Sequence, residues 1–342
     1  MKIRVAINGF GRIGRAFLKA AQKDEGLRIV GINDLASAEV LAYLLRHDSA
    51  YGKADFPVEA SGENTLLVDK TPIPLTHEKD PAKLPWKDLE VDVVVESTGV
   101  FASYEKSKAH LNAGAKRVVI SAPVKDDPED AGVTGATILA GINEEKLSTC
   151  QISSNASCTT NAGSPVVAIL DDSIGIEKAM LNTVHGYTSS QALVDSPNEK
   201  DPRRGRAAAQ NIVPSSTGAA IATTKAHKGL KDKFDGIAVR VPVVVGSIVD
   251  ITFIAKRETS VEEVNEILKN ATQNEKWRGV FDVSDEPLVS TDIIGNPHAS
   301  IADLKMTRVV DGTLVKVLAW YDNETGYAHT LVRHVLGAGK GT

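Results

Sequence analysis

The sequence predicts an α/β protein of two domains, a doubly wound parallel sheet followed by an α+β domain with a largely antiparallel sheet. Three observations predict it. Through the first half, short β-like apolar runs alternate with helix-like segments, the pattern of a parallel sheet covered on both faces. A glycine-rich turn, Gly9, Gly11 and Gly14, joins the first of those strands to the first of those helices. From residue 236 onward long β-rich runs replace the alternation, as in a sheet that buries one face only.

The elements follow in order. Candidate strands of the first half are "IRVAI" (3–7), "LRIVGI" (27–32), "VDVVVES" (91–97), "AKRVVIS" (115–121) and "ATILAGI" (136–142). Between the first two, "GRIGRAFLKAAQKDEG" carries Ile13, Phe17, Ala20 and Ala21 at helical spacing, which makes a βαβ unit at the start of the chain. After residue 158 the helical stretch "TTNAGSPVVAILDDSIG" leads into a strand, "AMLNTVHGYT" (179–188). The polar, arginine-containing segment from Ser189 to Pro214 has no clear period, and loops of that length are usually functional or interfacial. The runs 236–257 and 313–322 are read as strands. "SVEEVNEILKNATQ" (260–273) opens with Ser260 and Glu263 in capping-box spacing and is read as a helix. The last element, "TGYAHTLVRHVLGAG", is helical and is expected to pack back on the first domain.

Composition narrows the function classes. The formal charge of −5, from 39 basic and 44 acidic side chains, supplies no single-sign field to gather a phosphate backbone or an anionic membrane. Neither nucleic acid nor membrane is therefore expected as a partner. The first residues lack the apolar core of a signal peptide, no run reaches the length of a membrane span, and a cytoplasmic location is expected. Two cysteines make no disulfide framework, and no Cys or His grouping has the spacing of a zinc site, so no metal is expected.

Gly9-x-Gly11-x-x-Gly14 follows a strand and opens a helix, the context in which this spacing binds a dinucleotide. The turn needs glycine, the backbone must approach a pyrophosphate, and the helix N-terminus offers free N–H groups. Asp34, twenty residues after Gly14 and at the end of the second strand, suits an adenosine ribose and would repel a 2′-phosphate, which favours NAD over NADP. Ser97, Thr98 and Gly99 end another parallel strand, where ligands of open α/β sheets collect, and Ser121 ends the next.

Cys158 lies in "SNASCTTNAG" where a helix begins. A cysteine is commonly a small buried hydrophobe, yet at a helix N-terminus the dipole favours thiolate, and a nearby histidine lowers the pKa further. His185, at the end of the following strand, is the candidate partner, whereas Cys150 and the other seven histidines are read as structural or surface residues. A nucleotide loop together with such a cysteine suggests hydride transfer from a thiohemiacetal that leaves a thioester. Anionic groups would then need donors, and Thr188, Thr217, Gly218 and Arg240 can supply them.

Over nearly its whole length the chain resembles the phosphorylating glyceraldehyde-3-phosphate dehydrogenase family. "INGFGRIGR", "IND", "ESTGVF", "SNASCTTN", "VHGYT", "RAAAQNIVPSSTGAA", "RVP" and "WYDNETGY" occur in the family's order and at its spacing. The resemblance implies a Rossmann NAD-binding domain of residues 1–157 with the C-terminal helix 324–342, a catalytic domain of residues 158–323 including an S-loop at 189–214, and a homotetramer. It implies oxidation of glyceraldehyde 3-phosphate with NAD and inorganic phosphate. Cys158 would be the nucleophile and His185 its base. Thr188 and Arg240 would hold the substrate phosphate, and Ser157, Thr159, Thr217 and Gly218 the attacking phosphate. Arg204 matches the family's phosphate-contacting arginine of the S-loop. Asn323 would fix the nicotinamide carboxamide with Tyr327 nearby, and Arg12 and Ile13 would add contacts to the dinucleotide.

Several positions depart from the family pattern. Ser190 stands where the family usually has Asp, Gly186 where it has Ser, Thr325 where it has an aromatic, and Ser196 where NAD-specific members have Leu before proline. Ala162 replaces the second cysteine of "CTTNC", which removes a partner for a disulfide. The alternatives are erythrose-4-phosphate dehydrogenase, against which Thr188 counts, and a non-catalytic dinucleotide-binding or RNA-interacting protein on the same fold. Against that second alternative stand Cys158, His185, Arg240 and Asn323, all present, and the acidic charge balance.

Overall fold

A computed structural model describes residues 2–340. Two compact units are formed, one from the described residues of Met1–Ile138, Glu144–Ala156 and Thr330–Thr342, the other from Leu139–Asn143 and Ser157–His329. The expected domains differ from these units at three places. Ser157 begins the second unit, residues 324–329 belong to it, and so do residues 139–143, of which 139–142 are expected in a strand of the first domain. That strand stops at Thr137, and the amide N–H of Leu139 instead donates to Asn143 Oδ1 at 2.9 Å in a turn. Residues 341 and 342 of the expected last helix lie outside the described residues.

The first unit runs β1 (Ile3–Asn8), α1 (Arg12–Ala21), β2 (Leu27–Asn33), α2 (Ala38–Arg46), the small hairpin β3 (His47–Asp48) and β4 (Gly52–Lys53), then β5 (Val58–Ala60), β6 (Thr65–Val68), β7 (Thr71–Thr76), β8 (Val93–Glu96), α3 (Tyr104–Asn112), β9 (Arg117–Ile120), β10 (Gly135–Thr137) and β11 (Ile152–Ser154). Its sheet has the order β10-β11-β9-β8-β1-β2-β7-β6-β5. All pairs from β10 to β7 are parallel, and β7-β6-β5 is an antiparallel extension. β8 is buried at every position, as a strand covered on both faces must be. Because β1 has β2 on one side and β8 on the other, the chain reverses its direction of travel across the sheet there. Ligands of open α/β sheets bind at the C-terminal ends of strands around that point.

The second unit runs α4 (Cys158–Ser173), β12 (Ile176–Gly186), β13 (Val213–Ser216), α5 (Ala219–Ala226), β14 (Phe234–Val241), β15 (Ser247–Ala255), α6 (Val261–Ala271), β16 (Phe281–Ser284), β17 (Ser300–Asp303), β18 (Arg308–Val310) and β19 (Leu314–Tyr321). The sheet order is β13-β14-β12-β15-β19-β17-β16, with β18 beside β19. Most pairs are antiparallel, while β12 with β14 and β16 with β17 are parallel. In β15 buried and half-buried residues alternate strictly, so Val249, Ile251 and Phe253 share one face and pack in a core with Val166, Val167 and Leu170 of α4. Ser260 caps α6 by accepting from the Glu263 N–H at 3.2 Å, whereas the Glu263 carboxylate accepts from Arg257 and Thr259 rather than closing the capping box. Within the expected S-loop, a turn at Pro202–Gly205 is pinned by Asp201 and by the Arg206–Asp195 ion pair, and β13 already begins at Val213.

The last helix, α7, spans Thr325–Gly339. From Thr330 on it packs within the first unit, where His334 Nε2 lies 2.7 Å from Ser153 Oγ and Gly337 rests against Leu147.

Candidate active site

The glycine turn of the first unit is built for a close approach. Gly9 has φ +92°, and a Cβ on it would lie 2.7 Å from the Thr98 amide nitrogen. A Cβ on Gly14 would lie 2.2 Å from the Gly9 carbonyl oxygen, so the first turn of α1 can press on the loop only without a side chain. Gly11 is the N-cap residue of α1 and has open space above it. Ser97 Oγ donates to the Gly9 carbonyl at 2.7 Å, tying the end of β8 to the turn after β1. Asp34 Oδ2 accepts from the Phe10 N–H at 2.7 Å and Oδ1 from Ala36 at 3.0 Å, which aims the carboxylate into the loop. Arg12 pairs with Asp48 at 3.2 Å, and Ile13 is half-buried. Thr98 and Gly99 follow β8, and the Ser121 N–H donates to the Glu96 carbonyl at 2.9 Å. Gly9, Gly11, Arg12, Ile13, Gly14, Asp34, Ser97, Thr98, Gly99 and Ser121 thus gather at the C-terminal ends of β1, β2, β8 and β9.

Beneath this turn lies a buried polar cluster that the sequence reading missed. Glu96 Oε2 accepts from Asn8 Nδ2 at 2.6 Å and from His110 Nε2 at 3.0 Å. Its other oxygen accepts from the Thr98 N–H at 2.8 Å and from the Thr98 hydroxyl. Trp86 Nε1 donates to His110 Nδ1 at 3.0 Å. An indole N–H can only donate, so His110 Nδ1 must accept, and the imidazole is the neutral Nε2–H tautomer. Glu96, His110, Asn8 and Trp86 are each no more than 1% exposed. The only sequence signal was the position of Asn8 and Glu96 at the last residues of their strands.

In the second unit Cys158 is the first residue of α4. Ser157 caps the helix, its Oγ accepting from the Thr160 N–H at 3.1 Å. The preceding residue, Ala156, is fully buried with φ +53°, a conformation that non-glycine residues hold only under constraint, and its N–H donates to Ser154 Oγ at 3.0 Å. Cys158 Sγ lies 3.4 Å from His185 Nε2, so the two candidate catalytic residues, 27 positions apart, meet. Tyr321 is a further residue found only in the structure. Its hydroxyl bridges Thr159 Oγ1 at 2.9 Å and Thr183 Oγ1 at 2.7 Å, and its ring meets the His185 ring edge-on at 5.8 Å between centroids.

A lowered thiol pKa is expected from the helix N-terminus and the histidine, but burial wins here. Burial pushes the Cys158 thiol above its usual value against the pull of Arg240 and of hydrogen bonds from Thr159. Burial, helped by the Arg240 charge, pushes His185 down to about 3 against the Gly186 carbonyl. Each ion alone is disfavoured by burial, whereas moving the proton from sulfur to Nε2 creates both charges 3.4 Å apart, where they attract each other.

Arg240 sits on β14 directly across from His185 on β12. Arg204 donates twice to Ser215 Oγ, at 2.9 and 2.6 Å, and pairs with Asp201 at 3.3 Å. Thr188 Oγ1 lies 2.9 Å from Ser190 Oγ, and Thr217 Oγ1 accepts from the Ala219 N–H at 3.2 Å. Gly218 is the exposed N-cap residue of α5. Asn323 and Tyr327 belong to the second unit, where Asn323 Oδ1 accepts from the Gly246 N–H at 3.0 Å and Ser247 Oγ at 3.1 Å. Gly186 explains its own departure from serine: a Cβ there would lie 2.8 Å from the Val243 carbonyl. Among the described residues no group of three or more His, Cys, Asp or Glu side chains could hold a metal ion, and no helix is long and apolar enough to cross a membrane.

Residues 3–104 match the family model described as glyceraldehyde 3-phosphate dehydrogenase, NAD binding domain, and residues 157–323 match the C-terminal domain of the same family. The chain is 46% identical to glyceraldehyde-3-phosphate dehydrogenase of Mycobacterium avium over 99% of both chains. It is 45% identical to glyceraldehyde-3-phosphate dehydrogenase 2 of Bacillus subtilis over 98% of this chain and 97% of that one. The Priestia megaterium glyceraldehyde-3-phosphate dehydrogenase is 45% identical over 97% of each. The chain belongs to the glyceraldehyde-3-phosphate dehydrogenase family, whose members are NAD-dependent oxidoreductases.

Proposed function

We propose that this chain oxidises glyceraldehyde 3-phosphate with NAD and inorganic phosphate to 1,3-bisphosphoglycerate, through a covalent intermediate on Cys158. The observation that carries the reading is the Cys158–His185 pair at the head of α4. His185 Nε2 takes the thiol proton as sulfur adds to the aldehyde carbon and passes it to the carbonyl oxygen. It takes that hydroxyl proton back as hydride leaves the carbon, and gives it to the Cys158 sulfur when phosphate displaces it. NAD, which the turn of Gly9, Gly11 and Gly14 with Asp34 would hold, would supply the hydride acceptor for oxidation of the Cys158 thiohemiacetal to a thioester. The Gly9–Gly14 turn fits a dinucleotide, since the backbone packs too closely at Gly9 and Gly14 for a Cβ while open space lies above Gly11 at the N-terminus of α1. The Thr159 hydroxyl, oriented by Tyr321, together with Ser157, Thr217 and Gly218, holds the attacking phosphate, whose oxygen displaces Cys158 sulfur. Thr188, Arg204 and Arg240 hold the phosphate already on the substrate, and Asn323 fixes the carboxamide, beside Tyr327.

The family relatives carry the glyceraldehyde name, so erythrose 4-phosphate is not favoured as substrate. We further propose a cytoplasmic homotetramer. Both cysteines are free, in keeping with a reducing compartment, and Leu193, Val194 and Ile212 of the S-loop segment are more than 70% exposed, in keeping with apolar surface covered by another copy.

Initial rates with glyceraldehyde 3-phosphate, with and without phosphate and with NAD against NADP, test the assignment. Turnover should depend on phosphate and prefer NAD. Cys158→Ala should abolish turnover while leaving NAD binding intact, and retained turnover would rule out the thioester route.

A further inference from the structure

The last helix holds the segment that leads into Cys158. His334 of α7 is buried, with Nδ1 3.1 Å from Asn155 Oδ1 and Nε2 2.7 Å from Ser153 Oγ. An amide oxygen only accepts, so Nδ1 carries the hydrogen and the bare Nε2 accepts from the Ser153 hydroxyl. Asn155 Nδ2 in turn donates to Thr330 Oγ1, one turn earlier on α7, at 3.3 Å. Burial pushes the ring's pKa down to about 3, so it stays neutral and keeps this pair of bonds in any neutral medium. Beside it, Arg333 grips the Glu144 carboxylate with two nitrogens, at 2.7 and 2.5 Å, which fixes α7 against the same side of the unit.

The residue that follows this clamp is Ala156, whose φ of +53° an L side chain holds only where its surroundings over-determine it. Its backbone is pinned from the other direction. The Asn155 N–H donates to the Ile120 carbonyl at 3.0 Å, the Ala156 N–H to Ser154 Oγ at 3.0 Å, and Ser154 Oγ to the Ala122 carbonyl at 2.6 Å. All of these groups belong to the first unit, and the next residue, Ser157, opens the second. With Asn155 fixed in backbone and side chain, the two torsions of Ala156 set the direction in which the chain enters the Ser157 cap and α4.

We propose that His334 is a positioning residue for Cys158: by fixing Asn155 it keeps Ala156 in the left-handed turn that sets the sulfur at the head of α4. The inference rests on the reading of Cys158 as the nucleophile. The sulfur stands 3.4 Å from His185 Nε2, and a misplacement of about 1 Å in such a pair costs about a hundredfold in rate. Releasing the clamp therefore lowers kcat and the reactivity of the thiol together. KM for the aldehyde and for NAD stays as it was, because the side chains assigned to the substrate phosphate and the dinucleotide make no bond to His334, Asn155 or Thr330.

The test uses the full-length protein well below its unfolding midpoint. His334→Leu removes both bonds at similar bulk, whereas His334→Gln offers one donor and one acceptor and can remake them. Turnover of glyceraldehyde 3-phosphate is measured beside the rate at which iodoacetamide alkylates Cys158, followed on the Cys158 peptide by mass spectrometry. In His334→Leu both kcat and the alkylation rate at neutral pH should fall by about tenfold or more at unchanged KM, and His334→Gln should recover most of the loss. A His334→Leu protein with a lowered unfolding midpoint but wild-type kcat and alkylation rate would show a ring that only stabilises the fold, and would overturn the proposal. Where His334→Leu does not fold, Thr330→Val decides by the same two rates, since it removes the Asn155 Nδ2 bond at constant shape. Turnover retained in Cys158→Ala would instead defeat the nucleophile reading and this inference with it, whereas turnover lost there and kept in His334→Leu defeats the positioning role alone.

Discussion

Replacing Glu96 by glutamine changes one oxygen into an NH2 at constant shape, inside a cluster whose polarity is fixed on nearly every side. At Oε2 the Asn8 amide cannot flip, because its Oδ1 accepts from Asn33 Nδ2 at 2.8 Å, and His110 cannot change tautomer, because Trp86 holds its Nδ1 as an acceptor. The new NH2 is therefore forced toward Thr98, whose hydroxyl can turn round but whose backbone N–H cannot. One buried backbone donor is left facing another donor, a loss of about 1–3 kcal/mol, and the surviving bonds lose their charge assistance. A total near 3 kcal/mol follows, which for a unit of this size lowers the unfolding midpoint by about 6–12 °C. Thermal unfolding followed by circular dichroism should show that shift. NAD affinity should fall as well, because Thr98 packs against the Gly9 turn. A Glu96→Gln protein with the wild-type midpoint would refute the assignment of hydrogen-bond directions.

Two further perturbations address the loop and the acid response. Gly14→Ala places a methyl 2.2 Å from the Gly9 carbonyl oxygen, so the turn must open by about 1 Å. Calorimetry should find NAD binding weakened by at least about tenfold, equivalent to about 1.4 kcal/mol, and wild-type affinity would contradict the proposed seat for the pyrophosphate. Burial pushes His334 down to about 3, against about 6.5 in the unfolded chain, so between those values the unfolded state binds more protons. Stability from this group is complete above pH 6.5 and is lost as pH falls toward 3, at about 1.4 kcal/mol per unit. In urea unfolding between pH 6 and 4, His334→Gln should show a slope shallower by that amount, and an unchanged slope would sink the account.

How much was legible depended on whether the deciding interaction was local. The glycine turn, the strands beside it and the cap at Ser260 announce themselves because the residues that specify them are neighbours in sequence. β5, β6 and β7 went unread because they are short and Pro72 and Pro74 sit in β7, breaking the usual strand pattern. The run after Thr137 misled for the opposite reason: Leu139, Ala140 and Ile142 are apolar as a strand would be, but they are a turn carried in the second unit. Cys158 and His185 lie 3.4 Å apart because a helix followed by a returning strand brings their ends together, a juxtaposition that the order of elements already suggests. The direction of the thiol shift was not legible, since it depends on burial by residues far along the chain. Tyr321 and the Glu96 cluster are equally silent, because Glu96 is held by His110 and Asn8, 14 and 88 positions away, and Tyr321 by Thr183 and Thr159, 138 and 162 positions away.

The hydrogen bond from Trp86 to His110 has an optical consequence. Of the three tryptophans, Trp86 alone lies in the first unit, while Trp277 and Trp320 lie in the second. An indole with no solvent exposure, its N–H engaged by a neutral imidazole, emits as an apolar chromophore. Its spectrum thus follows the floor of the dinucleotide turn, and in a chain carrying Trp277→Phe and Trp320→Phe that unit can be watched by itself as it melts.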